Sequence, residues 1–296
     1  MKHEDSRRLI VRTVKSGAPV LAALLALILA GCGNPQLDGP PAGPTMPRMA
    51  EGEKATQLHV SASAAPGIPR GFGDVKPHEW SGISPASYSV HGIDASRYQG
   101  EIDFFAARQS GIRFAWLKAT EGGDHLDPAY AVNAPRARAA GVPVGAYHFY
   151  YFCRTPEEQA AWFIQNVGRV AGDLPPVLDM EWNHQSRTCS ARPGAAEVRD
   201  QIDRFTAIVG RHYGTRPVVY TTPDFYRDND LGQMRNQEFW LRAVTKHPSE
   251  GYPEERWSFW QYSGTGIVPG VAGKVDLNAF GGGLESWQNW LVARRQ

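Results

Sequence analysis

Between residues 88 and 280 the hydrophobic positions alternate between two rhythms. Short β-like apolar runs at 89–93, 114–119, 144–151, 176–180, 217–221, 239–243, 258–262 and 274–277 predict strands. Stretches 102–109, 128–140, 156–170 and 195–213 carry apolar residues at helical spacing, and 224–236 predicts only a short helix. Asp127-Pro128 and Thr155-Pro156 each provide an N-cap followed by proline in the first turn. Gly111, Gly141 and Gly214 stand where helices should end. Strands alternating with helices imply a parallel sheet, and eight of them imply closure. The last three strands leave no room for helices between them. The expected fold is therefore α/β, an incomplete TIM-like (β/α)5β3 barrel. An open doubly wound sheet is the alternative, but no Gly-rich phosphate loop follows the first strand.

The pattern changes ahead of this body. Lys2, Arg7, Arg8, Arg12 and Lys15 precede an apolar run from Ala18 to Ala30. That run is shorter than the roughly 20 residues a membrane-spanning helix needs, but suits the apolar part of a signal peptide. It ends in Leu29-Ala30-Gly31-Cys32, which resembles the lipobox of bacterial lipoproteins and implies cleavage before Cys32 and acylation of its thiol. An ordinary signal peptide or anchor helix is the plainer reading. Residues 33–85 are rich in Pro, Gly, Ser and Ala and poor in aliphatics, so they bury too little to offset chain entropy. They read as a tether, whose last part, Gly71 to Trp80, carries aromatics able to dock onto the body. The expected division is a lipoprotein signal peptide over 1–31, a tether over 32–85 and a catalytic barrel over 86–296.

Charge narrows the partners. Removing residues 1–31 takes five Lys/Arg and two Asp/Glu from a formal +1, leaving about −2, with no basic excess for nucleic acid. The 9 Trp and 11 Tyr suit a core and also suit stacking on sugars. With Cys32 assigned to lipid, Cys153 and Cys189 remain as a pair, which in an oxidising compartment favours a disulfide over a metal site. No metal or other cofactor is expected.

In parallel α/β barrels the functional site lies at the C-terminal ends of the strands. Those ends carry Asp94, then Lys118 and Glu121, Tyr147 and His148, Asp179 and Glu181, Tyr220, Trp260 and Gln261, and Asp276. Residues two apart in a strand face one side, roughly 6.5–7 Å apart. Asp179 and Glu181 would then repel one another, and one would hold a proton near neutrality beside an ionised partner. Glycoside hydrolysis needs that arrangement. Asp94 and Asp276 would add charge from adjacent strands of a closed barrel, where the plainer role is loop capping. For Tyr147, His148, Tyr220, Trp260 and Gln261 a place in the core competes with sugar contact. Lys118 and Glu121 are expected to form an ion pair at the mouth.

The segments HGIDASRYQG (91–100), WLKATEGGDHLDPAY (116–130), GAYHFYYF (145–152), PPVLDMEW (175–182), VVYTTPDFY (218–226), FWLRAV (239–244), FWQYSGTG (259–266) and VDLNAF (275–280) run in order along the body. In these the chain resembles the family 25 glycoside hydrolases, the Chalaropsis-type lysozymes. The resemblance implies cleavage of the β-1,4 bond between N-acetylmuramic acid and N-acetylglucosamine in peptidoglycan. It implies Glu181 as general acid and Asp179 as the partner of the substrate's acetamido group, with Asp94 and Asp276 completing the acidic set. The estimated carboxylate spacing falls in the range of inverting enzymes, whereas the resemblance implies retention with the acetamido group as nucleophile. A glycosidase acting on chitin, a silent peptidoglycan-binding envelope lipoprotein and a metal-dependent hydrolase are the competing readings. The expected partners are peptidoglycan strands and a membrane reached through the lipid anchor, with the protein a monomer. Gly33 after the acylated cysteine points to the outer membrane, on its periplasmic side, in a Gram-negative host. Cys153 follows the third strand and Cys189 the fourth, neighbouring loops in a barrel, which predicts a disulfide pinning residues 182–193 beside the cleft.

Overall fold

The computed structural model describes residues 66–184 and 186–296. Cys32, the expected signal peptide and most of the expected tether lie outside the described residues.

Eight strands of a ten-stranded sheet form the barrel: β1 (His91–Ala95), β2 (Ile112–Glu121), β3 (Val144–Phe149), β4 (Val177–Met180), β5 (Val218–Thr221), β6 (Phe239–Arg242), β7 (Trp257–Ile267) and β8 (Val275–Phe280). Neighbours pair in parallel from β1 through β7. The last strand, β8, runs antiparallel to both β7 and β1 and closes the barrel. Five helices follow the first five strands: α1 (Phe104–Ser110), α2 (Pro128–Ala139), α3 (Pro156–Asn166), α4 (Ala195–Tyr213) and the short α5 (Pro223–Asp228). The (β/α)5β3 expectation holds. A single turn, α6 (Pro248–Gly251), and a C-terminal helix, α7 (Leu284–Arg294), were not anticipated.

Local chemistry explains the helix starts. Asp127 accepts a hydrogen bond from Ala129 N, and Thr155 with Glu158 forms a capping box, each ahead of a proline in the first turn. Gly111 ends α1 in the left-handed region at φ 119°.

Strand parity divides the core in two. One set of alternate residues, including Ile93, Leu117, Leu178, Val219 and Leu241, faces outward under the helices. The other set fills the lower barrel: Val90, Phe114, Trp116, Val177, Val218, Trp240, Phe259 and Phe280, sealed by Trp287 and Leu291 of α7. This plug is tightly interlocked. Trp116 stacks on Trp240 with centroids 4.9 Å apart, and Phe114 lies 5.4 Å from Trp287. Gly92 is required here, because a Cβ would sit 2.5 Å from Phe114 O.

The body begins earlier than composition implied. Gly73–Asp74 adds a short antiparallel strand to β7, facing Ile267 and Gly266. Trp80 meets Trp260 edge-on at 5.1 Å, and Gly67 N donates to Tyr88 O. The stretch 66–85, assigned to the tether by its Pro and Gly content, is thus held on the barrel by backbone pairing and by its aromatics.

Cys153 and Cys189 form a disulfide with Cα atoms 5.7 Å apart at a sequence separation of 36. On an entropy model such a loop closure stabilises by about 3–4 kcal/mol. The bond joins the segment after β3 to the loop that follows Glu181. Trp182 anchors the start of that loop, 4.7 Å from Phe225 and donating Nε1 to Asp228 Oδ2 at 3.0 Å.

Candidate active site

Above the plug, the same inward-facing positions turn polar. They line a cavity of about 330 Å³ with Asp94, Lys118, Tyr147, Asp179, Glu181, Tyr220, Gln261 and Asp276, all anticipated from sequence. Phe149, Asp179, Tyr220 and Trp240 are successive register partners across β3 to β6, forming one level of the barrel. Asp276 faces Asp94 across the β8–β1 ladder. The reading that placed Asp276 at the end of a parallel strand needs correction. It stands at the start of β8, and only the reversed direction of that strand brings it to the mouth.

The carboxylates sit in unequal surroundings. Asp94 Oδ2 accepts from Gln261 Nε2 at 2.9 Å and from Asn278 Nδ2 at 2.8 Å. Burial raises its pKa to about 6, against the opposing pull of those two bonds and of Arg242. Asp179 is driven well above the ordinary carboxylate range by burial and then by the charge of Glu181, with Lys118 pulling the other way. Its Oδ1 is buried without a hydrogen-bond partner among the described residues. Burial also raises Glu181, Arg242 opposes the shift, and Asp224 adds to it. Asp276 is pushed well up by burial and by Asp94. All four carboxylates are thus shifted toward the protonated form, the direction a general acid requires.

The neutral groups are held in place. Tyr220 donates its hydroxyl to Gln261 Oε1 at 2.9 Å, which fixes the amide that in turn donates to Asp94. Lys118 Nζ pairs with Glu121 Oε2 at 2.5 Å and lies 4.6 Å from the centre of the Phe149 ring. Glu121 also accepts from Tyr151 OH. The expected ion pair is present, but it runs along the end of one strand. Glu121 stands behind Lys118 and does not line the cavity.

Two predicted contact residues face the wrong way. His148 is fully buried beneath the helices, stacked on Phe205 at 5.1 Å, with Nδ1 hydrogen-bonded to Thr120 Oγ1 and Nε2 to Gln159 Oε1. Burial lowers its pKa to about 4, so the ring is neutral. Trp260 is likewise buried on the outer face, donating Nε1 to Ala243 O at 2.7 Å and covered by Trp80. Each stands one position from a cavity-lining neighbour, Tyr147 or Gln261, and strand parity turns it outward.

The same parity identifies what the motif reading missed. Trp240 and Arg242, two apart on β6, both line the cavity. Trp240 Nε1 donates to Asn278 Oδ1 at 2.8 Å, orienting the amide that holds Asp94. Ser96 and Tyr98, just beyond β1, form part of the rim, and Tyr98 is 78% exposed.

A barrel with clustered carboxylates of unequal environment at its open end is the architecture of a glycoside hydrolase. Comparison with known proteins gives the family. Residues 93–271 match the profile of Glycosyl hydrolases family 25. The chain is 35% identical over 215 residues to the protein YegX of Escherichia coli O6:H1, covering 70% of this chain and 75% of that one. It is 36% identical over 212 residues to Lysozyme M1 of Streptomyces globisporus, covering 68% and 71%. Among solved structures, a family 25 glycosyl hydrolase from Bacillus anthracis superposes with a TM-score of 0.65 at 30% identity, covering 73% of this chain and 98% of that one. The chain belongs to glycosyl hydrolase family 25.

Proposed function

We propose that the protein is a muramidase, cleaving the β-1,4 bond between N-acetylmuramic acid and N-acetylglucosamine in peptidoglycan. The observation that carries this reading is Asp179 Oδ1, a buried acceptor without a partner in a cavity rich in carboxylates. An acetamido N–H supplies the missing donor, and the similarity to Lysozyme M1 points to the same polymer.

In this mechanism Glu181 gives its proton to the glycosidic oxygen as the bond to the anomeric carbon breaks. The acetamido carbonyl oxygen of the same sugar attacks that carbon, and Asp179 accepts from the acetamido N–H and balances the positive charge. Water then opens the ring intermediate while Glu181 takes back a proton. Asp94 and Asp276 hold negative charge near the developing cation, and Arg242 limits their repulsion. Two inversions leave the anomeric configuration retained. Purified peptidoglycan treated with wild type, but not with Glu181→Gln, should release reducing muramic acid ends. Proton NMR should show the β-anomer first, and an initial α-anomer would contradict the acetamido route. Binding without cleavage by the wild type would favour a tether, and equal cleavage of chitin would favour a broader glycosidase. Indifference to chelator is expected, and inactivation by it would support a metal-dependent hydrolase.

The proposed location is the cell envelope, with the chain exported and anchored by lipid on Cys32, at the outer membrane's periplasmic side in a Gram-negative host. The Leu-Ala-Gly-Cys sequence supports this, and so does the Cys153–Cys189 bond, which suits an oxidising compartment. Incorporation of labelled fatty acid that is abolished by Cys32→Ser would bear it out. A soluble exported wild type would contradict it.

A further inference from the structure

The residues ahead of the family-matched region build a second cavity beside the first. The segment is firmly attached: Val75 N donates to Thr265 O at 2.9 Å, and Asp74 Oδ1 accepts from Thr265 Oγ1 at 2.6 Å and from Lys76 N at 2.9 Å. Between this strap and the upper ends of β6 to β8 lies a groove of about 510 Å³, larger than the carboxylate cavity. Ile68, Phe72, Trp80 and Val244 give it apolar walls, and Lys76 and Arg242 give it positive charge. Arg242 lines both cavities, and a Cβ on Gly264 in the groove wall would lie 3.3 Å from Asp276 Oδ1. The two cavities therefore meet at Arg242 and Asp276.

The sign of charge reverses across that junction. The first cavity gathers four carboxylates, whereas the groove sets Lys76 and Arg242 against Asp74 alone, whose Oδ1 already accepts two hydrogen bonds. Among the described residues, neither Lys76 nor Arg242 enters an ion pair within 4.0 Å. Arg242 also acts on Asp94, Glu181 and Asp276 of the first cavity, so Lys76 is the groove's own cation. A short peptide with small apolar side chains and free carboxylates fits both the walls and the charge.

We propose that the groove receives the carboxylate-bearing stem peptide carried by the muramic acid in the catalytic cavity, so that residues 68–80 confer a preference for peptide-substituted glycan. This rests on the muramidase reading above. The test compares kcat/KM of the full chain on peptidoglycan with intact stem peptides and on the same strands stripped by an amidase. Wild type should favour the peptide-bearing strands, with the preference shrinking as ionic strength rises. Lys76→Glu should reduce the ratio of the two kcat/KM values about tenfold, through KM, and Lys76→Arg should keep it. A wild type without preference, or a Lys76→Glu variant impaired equally on both substrates, would overturn the assignment. Inactivity of wild type on both substrates would instead overturn the muramidase reading, and this proposal with it.

Discussion

The two ends of the barrel interior are made by the same strands, from residues that differ only by two positions in sequence. Val177 lies in the lower plug and Asp179 in the cavity; Phe280 lies below, with Asn278 and Asp276 above it; Phe114 and Trp116 lie below Lys118. The lower end satisfies every expectation for a stable core, with interlocked aromatics and a helix as a lid. The upper end violates them, burying carboxylates that repel each other and an acceptor with no donor. A strand step of two residues thus separates a part built for stability from a part whose cost makes sense only through chemistry.

Substitutions should fall on opposite sides of that boundary. The largest effect is expected from Glu181→Gln, which removes the proposed acid and should reduce kcat by about 10²–10⁴-fold with little change in melting temperature. Reducing-end release on peptidoglycan measures it, and a loss below tenfold would return Glu181 to a bystander. Next is the plug. Phe114→Ala should destabilise by about 3–5 kcal/mol while the molecules that remain folded keep their activity. Thermal melting alongside activity per folded molecule separates the two.

At Asp276 the sign reverses. Because burial raises the pKa of Asp276, the folded chain holds that proton more tightly than the unfolded chain does. Stability from this group is present at low pH and is lost as pH rises through the folded value. Asp276→Asn should therefore stabilise the protein at pH 7 by about 1–3 kcal/mol, with the gain fading toward pH 4, while activity falls. His148 acts in the opposite sense. With its pKa lowered to about 4, it contributes stability above pH 6.5 that is lost as pH falls toward 4. The smallest contrast tests parity. Trp260→Phe should cost about 1 kcal/mol by removing the bond to Ala243 O and leave KM unchanged, whereas Trp240→Phe frees Asn278 and should reduce kcat.

Much of this was legible in the sequence, for a physical reason. Hydrophobic period and capping chemistry are local, so the eight strands, the first five helices and the barrel could be read directly. The carboxylates could be found because charge at the end of an apolar strand is costly and therefore conspicuous. Strand direction is not local, and Asp276 was found for the wrong reason. The step of two that pairs Asp179 with Glu181 also turns His148 and Trp260 outward when taken from Tyr147 and Gln261, and on β6 it pairs Trp240 with Arg242. The docked segment at 66–85 was hidden because backbone pairing to a distant strand leaves no signature in composition, although the aromatics at Phe72 and Trp80 pointed to it. Helix α7 lies beyond the last strand of the barrel, and its signature is Leu284, Trp287 and Leu291 on one face.

The acidic end of the barrel is proposed above as a muramidase site. Mass spectrometry of the soluble products from purified peptidoglycan tests it most directly. Fragments that end in reducing N-acetylmuramic acid are expected from the wild type and should be absent when Glu181→Gln replaces it. Fragments ending in reducing N-acetylglucosamine, or peptidoglycan left undigested by wild type shown to be folded, would contradict it.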